Sequence, residues 1–108
     1  MSSPAQAREL ALALPGVDER DHHGRPSFRV GGRIFATLPD AEHINAMLDE
    51  DGIRTYVARD GERFEEVWWG RRLAAVRVRL TALSEHELRE LLADAWECKA
   101  PRALRQTR

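Results

Sequence analysis

The chain has 108 residues, 43% hydrophobic and 32% charged, a balance typical of a folded globular domain that excludes a disordered polar segment. Its formal net charge is −1, and no apolar run approaches the roughly 18–20 residues of a membrane span. From the length we expect one domain over residues 1–108, and from the hydropathy no membrane association. A single cysteine, Cys98, excludes an internal disulfide and favours a reducing, cytoplasmic location.

A helix is predicted at the beginning of the chain. Ser3 is the predicted N-cap, Pro4 the first helical residue, and Gln6 the third position of a capping box. Apolar residues then recur at helical spacing as far as Leu14, where a Pro-Gly pair ends the helix.

Four short strands are predicted next. They are Val17–His22, Ser27–Val30, Ile34–Leu38 and Ile44–Leu48. A Gly-Gly pair between the second and third strands predicts a tight β-hairpin turn, because glycine adopts positive φ at little cost. Strict alternation places Phe28 and Val30 toward the core with Ile34, Ala36 and Leu38, and leaves Arg29 on the other face.

The second half of the chain predicts further helices and strands. The pattern indicates a helix over Asp49–Arg59, an edge strand over Phe64–Trp68, a strand over Arg72–Leu80, and a final helix that ends before Pro101. Ser84 and Glu87 form a capping box for that helix, and a short basic turn follows over Arg102–Arg105. The element order predicts an α+β two-layer sandwich, with an antiparallel sheet and the N- and C-terminal helices packed on one face.

Catalytic and metal sites are not predicted. The histidines (His22, His23, His43 and His86) lack the spacing of metal ligands. Cys98 has no histidine nearby in sequence to act as a base, and a partly buried structural cysteine is the favoured interpretation. We therefore expect no enzyme activity, no metal and no cofactor.

Arginines and tryptophans form the remaining candidate site. Arg29, Arg77 and Arg79 are predicted to point away from the core, and further arginines are predicted at turns beside them, namely Arg25, Arg33, Arg71 and Arg72. Trp68 and Trp69 lie next to this group, and aromatic and basic side chains together can stack bases and contact phosphates. The alternative is a solvated face on which Glu62, Glu65 and Glu66 pair with the arginines, with at least one tryptophan in the core.

Several motifs, in order along nearly the whole chain, resemble the MmcQ/YjbR family. They are Leu-Pro-Gly-Val at 14–17, His-Gly-Arg-Pro-Ser-Phe-Arg-Val-Gly-Gly-Arg-Ile-Phe-Ala at 23–36, Trp-Gly-Arg at 69–71, Leu-Leu and Ala-Trp at 91–92 and 95–96, and Ala-Pro at 100–101 with Leu104. The resemblance implies a small sandwich related to the CyaY/frataxin-like fold. It also implies DNA binding through two β-hairpin wings, with Arg25–Arg33 as one wing and Trp69–Arg72 entering the other.

Together these observations predict weak, largely phosphate-directed binding of DNA. The candidate contact residues are Arg25, Arg29, Arg33, Trp69, Arg71, Arg72, Arg77, Arg79 and, in a basic tail over residues 99–108, Lys99 and Arg102. A protein-interaction or small-ligand module without any nucleic-acid role is the alternative. The target sequence and the oligomeric state do not follow from the sequence.

Overall fold

The computed structural model, which describes residues 1–106, is a six-stranded antiparallel sheet with helices packed against it. The helices are α1 (Pro4–Leu12), α2 (Glu50–Arg59), α3 (Glu85–Lys99) and α4 (Arg102–Arg105), with a 3₁₀ turn at Leu80–Ala82. The strands are β1 (Val17–His22), β2 (Arg25–Val30), β3 (Arg33–Thr37), β4 (His43–Ala46), β5 (Phe64–Trp69) and β6 (Arg72–Arg79). Their order across the sheet is β1-β2-β3-β4-β6-β5, so the predicted α+β fold class is confirmed.

One hydrophobic core lies between the sheet and the three longer helices. Phe28 of β2, Ile53 of α2 and Trp96 of α3 are fully buried in it. The Trp96 indole Nε1 donates to the Pro15 carbonyl at 2.9 Å, which attaches α3 to the segment that follows α1. Burial of these side chains supplies most of the free energy that holds the two layers together.

A hydrogen bond connects helices α2 and α3: the Tyr56 hydroxyl donates to an Asp94 carboxylate oxygen at 2.6 Å. Burial, and then the hydrogen bond to Asp94, raise the pKa of the Tyr56 phenol above its usual range. The phenol therefore stays a neutral donor. Because α1, α2 and α3 share one hydrophobic core with the sheet, all three cover the same face of it.

The two predicted capping boxes have different outcomes. Ser84 Oγ accepts from the Glu87 backbone N–H at 3.1 Å while Glu87 accepts from the Ser84 backbone N–H at 3.0 Å, so the α3 box is confirmed. At α1, Ser3 caps the Gln6 backbone N–H at 3.2 Å, but the Gln6 amide donates to Glu85 at 3.1 Å instead of closing a box. A charged carboxylate is the stronger partner for that amide, so the α1 box is wrong.

A β-bulge changes the face assigned to Ile34. The β2–β3 register pairs Phe28 with Ala36 but Arg29 with Ile34, which leaves Phe35 without a partner in the ladder. Ile34 therefore lies on the same face as Arg29, and the fully buried Phe35 takes its predicted place in the core. The strict alternation predicted for β3 is wrong because an inserted residue shifts the pleat by one position.

The arginines predicted at turns lie mainly at strand ends. Arg25, Arg33 and Arg72 are the first residues of β2, β3 and β6. Of the arginines predicted at turns, only Arg71 lies in one, where Gly70 adopts a φ of +63° between β5 and β6. Hairpin pairing makes β2 begin two residues and β3 one residue earlier than predicted, whereas β6 begins at Arg72 as predicted.

Part of the predicted basic tail packs against the body. Lys99 ends α3, and Pro101 leads into α4. A Cβ added to Gly31 would lie 2.7 Å from the Pro101 ring, so the β2–β3 turn sits directly on this connection. Thr107 and Arg108 lie outside the described residues, and no helix in residues 1–106 is long and apolar enough to cross a membrane.

Candidate functional site

The outward arginines of β2 and β6 lie on the face of the sheet opposite the helices. Cross-strand pairs join Ser27 to Thr37, Thr37 to Asn45, and Asn45 to Arg77 in one row. Arg29 Nε donates to Ser27 Oγ at 3.4 Å, and Arg77 Nε donates to Asn45 Oδ1 at 2.9 Å. Both guanidinium groups are thus half-buried parts of a hydrogen-bonded polar face.

Acidic residues neutralise part of that face. Arg79 forms an ion pair with Glu42 at 2.9 Å, and Glu65 lies directly opposite Arg77 on the neighbouring strand. Glu66 is directed elsewhere, toward Arg54 at 3.9 Å. This side of the sheet is therefore not an uninterrupted positive surface, but the ion pair of Arg79 uses Glu42 and not the predicted Glu62, Glu65 or Glu66.

A second group of predicted residues meets in an open cleft of about 500 Å³. We call it the Trp69 cleft, and its lining residues are His22, Arg33, Ile34, Met47, Trp69, Arg72 and Lys99. They come from the ends of β1, β3, β6 and β5, the residue after β4, and the last residue of α3. The cleft thus joins the β2–β3 and β5–β6 hairpins and the end of β1 to the last residue of α3.

Short-range contacts hold two of the basic side chains of the cleft, those of Arg33 and Arg72. Arg33 Nη1 donates to the Lys99 carbonyl at 3.5 Å, which holds the β2–β3 hairpin against the end of α3. The Arg72 guanidinium lies over the Trp69 ring, 5.3 Å from its centroid. This geometry is a cation–π contact between two exposed side chains.

The charge of the cleft is uniformly positive. Arg33, Arg72 and Lys99 line it, and no acidic residue does. None of these three side chains pairs with a carboxylate within the described part of the chain. Three unneutralised cations within one concave surface attract an anion more strongly than the net charge of −1 suggests.

An apolar surface accompanies those charges. The Trp69 side chain is 48% exposed. Two apolar residues line the same cleft: Ile34, which is half-buried, and Met47, which is only 4% exposed. Trp68 is exposed to a similar extent, but its indole Nε1 donates to Glu66 and it does not line the cleft. Both residues of this tryptophan pair are exposed on the β5–β6 hairpin, and the tryptophan that lies in the core is Trp96.

Four of the ten predicted site residues, Arg33, Trp69, Arg72 and Lys99, therefore converge. Of the others, Arg25 donates to the Leu38 carbonyl at 3.2 Å, and Arg71 and Arg102 are exposed in the β5–β6 turn and on α4. Together with Arg29, Arg77 and Arg79, these residues lie outside the lining of the cleft.

Three lining residues were not among the predicted contacts. Met47 alternates with Ile44 and Ala46 in the sequence, and this pattern alone could have placed it opposite the core. Ile34 was assigned to the core because the bulge leaves no clear mark in the sequence. His22 reaches the cleft from the end of β1, a position that only the tertiary structure defines.

Metal binding finds no support in residues 1–106, where no group of three or more His, Cys, Asp or Glu side chains could hold an ion. Half-buried Cys98 lines a separate depression with Tyr56 and Asp94. No histidine lines that depression, so a paired thiol and imidazole are not assembled there.

Comparison with known proteins gives a family but no individual relative. No curated protein and no solved structure matches the chain. The family model described as YjbR matches residues 12–98, which include every strand and all of α2. The chain therefore belongs to the YjbR family.

Proposed function

We propose that the chain is a non-catalytic, cytoplasmic nucleic-acid-binding domain that contacts phosphates through the Trp69 cleft. The observation that carries this proposal is the convergence of Arg33, Arg72 and Lys99 around an exposed indole without an acidic neighbour in the lining. Guanidinium and ammonium groups bind phosphate oxygens, and an indole adds a stacking surface. The single cysteine agrees with a reducing compartment.

Two β-hairpins contribute to the proposed interface. The β2–β3 hairpin supplies Arg33, and the β5–β6 hairpin supplies Trp69 and Arg72. This arrangement supports a two-winged mode of DNA binding, the mode implied by the sequence resemblance. The exposed Arg71 at the tip of the second hairpin and Arg102 on α4 would add phosphate contacts around the cleft.

The proposal is tested by fluorescence anisotropy with labelled single-stranded and duplex DNA at two salt concentrations. Binding at low salt should weaken steeply as salt is added, because each phosphate contact releases counterions. The double variant Arg33→Gln with Arg72→Gln should weaken binding of every probe. It should also lower the slope of log affinity against log salt by about two, one unit for each lost contact.

Arg89→Gln is the matched control. Arg89 is an exposed arginine on α3 that lies 3.8 Å from Glu85 and does not line the cleft. Its loss should leave both the affinity and the salt slope unchanged. The proposal fails if no probe binds at low salt, or if the double variant behaves like the control.

A small anionic aromatic ligand is the second candidate. The cleft volume of about 500 Å³ and its partly apolar lining by Ile34 and Met47 favour it, since small-molecule sites typically measure roughly 300–1,000 Å³ and combine apolar walls with a few polar groups. Titration with a mononucleotide distinguishes the two functions. Affinity that does not increase from the mononucleotide to an oligonucleotide would favour the small ligand.

A further inference from the structure

The Trp69 cleft has features that a phosphate-binding surface alone does not require. Phosphates are bound by charges at an open surface, whereas part of this cleft is lined by the apolar side chains of half-buried Ile34 and nearly buried Met47. Trp69 adds a large aromatic ring of which about half is exposed. A ligand that fills this cleft must therefore offer a flat apolar group as well as negative charge.

The size of the cleft favours single-stranded over double-stranded nucleic acid. In a duplex the bases are stacked and paired inside, so a protein meets only phosphates, sugars and the edges of bases in the grooves. A cleft of about 500 Å³ has the volume of a small-molecule site. It is large enough for one unstacked base with its sugar and too small for a double helix.

The positions of the charges suit a strand that passes through the cleft. Arg33 and Lys99 are joined through the hydrogen bond at 3.5 Å, and Arg72 lies across the Trp69 ring. A base stacked on the indole would have its adjacent phosphates close to these cations. Stacking of this kind is sequence-tolerant, because every base has an aromatic face.

We propose that the Trp69 cleft accepts one unpaired base of a single-stranded nucleic acid, stacked on Trp69, with its flanking phosphates on Arg33, Arg72 and Lys99. This inference rests on the proposed nucleic-acid function and names the form of nucleic acid that the cleft selects. It predicts a preference for single strands over duplexes that depends on the base and not only on the charge.

The test compares three labelled probes with equal numbers of phosphates: an oligothymidylate, an abasic oligonucleotide and a short duplex. The protein should bind the oligothymidylate on the order of tenfold more tightly than the other two, as expected for stacking of one base. Trp69→Ala should remove this preference, so that its affinities for the three probes become similar. Trp69→Phe, which keeps an aromatic ring, should retain most of the preference.

Trp68→Ala provides the matched control. Trp68 is 47% exposed against 48% for Trp69, and it precedes Trp69 on the same strand without lining the cleft. The control should bind all three probes as the unaltered protein does. Equal affinity for the three probes, or loss of the preference in Trp68→Ala as well, would overturn the inference while leaving phosphate-directed binding intact. Failure of every probe to bind would overturn both.

Discussion

Arg33 and Lys99 line the same cleft although they are distant in the sequence. They lie 66 positions apart in the sequence, yet the Arg33 guanidinium donates to the Lys99 carbonyl. Gly31 makes this approach feasible, because its φ of +57° forms the turn and its missing side chain leaves room for Pro101. The position of one glycine therefore influences the geometry of a cleft that it does not line.

Replacement of Gly31 by alanine should destabilise the fold more than replacement of Gly32. Both glycines have positive φ, so each alanine costs about 1–2 kcal/mol in backbone strain. The Gly31 Cβ would also lie 2.7 Å from the Pro101 ring, whereas nothing lies within 4 Å of a Cβ at Gly32. Overpacking of this kind costs about 1–3 kcal/mol more, which urea unfolding of the two variants can measure. Equal losses of stability would contradict the packing of the tail against this turn.

The two ends of helix α3 contribute to different parts of the structure. Its last residue, Lys99, lines the cleft, while its first turn is held by Arg63, which contacts Glu87 at 2.9 Å, Asp60 at 2.6 Å and the Ala82 carbonyl at 2.9 Å. The hydrogen bond from Arg63, followed by that from the Ser84 backbone, lowers the pKa of Glu87 from 4.5 to about 2. The charged carboxylate is thus favoured in the folded protein.

The stability of the protein should therefore depend on Glu87 in acid. Because the folded pKa is depressed, the contribution of Glu87 is present above pH 4.5 and is lost as the pH falls toward about 2. The Glu87 side chain is 40% exposed, so solvent screening limits the loss to about 1 kcal/mol. Glu87→Gln should flatten the dependence of unfolding free energy on pH across this window.

Glu9→Gln is the control for that experiment, since Glu9 is an exposed α1 carboxylate without an ion pair among residues 1–106. Chemical denaturation at several pH values compares the two variants. If both flatten the pH profile equally, or neither does, the contact between Arg63 and Glu87 does not stabilise the start of α3.

Elements defined by local chemistry were predictable from the sequence, whereas features that depend on strand pairing or on a distant partner, such as Glu85 for Gln6 at the start of α1, were not. Ser84 and Glu87 mark the start of α3 because a capping box involves only neighbouring residues. The displacement of Ile34 depends on a bulge between β2 and β3, and a second register shift separates Val67 from Trp68. The cleft itself could be predicted only in part, since His22 reaches it through the tertiary fold.

For the molecule as a whole, the distribution of charge matters more than its sum. The net charge of −1 provides no long-range attraction for nucleic acid. The described ion pairs include Arg79 with Glu42 and Arg63 with Glu87, whereas the three cations of the cleft have no carboxylate partner in residues 1–106. Binding should therefore be local, weak and sensitive to salt.

The most direct test follows the three indole N–H resonances of the protein by NMR during titration with an oligothymidylate at low salt. Trp69 is exposed in the cleft and Trp96 is fully buried, so they report on the proposed site and on the core. The proposed site predicts a saturable shift of the Trp69 resonance together with backbone shifts at Arg33 and Lys99, while Trp96 stays unchanged. Saturable binding that leaves Trp69 unshifted, or no binding at all, would contradict it.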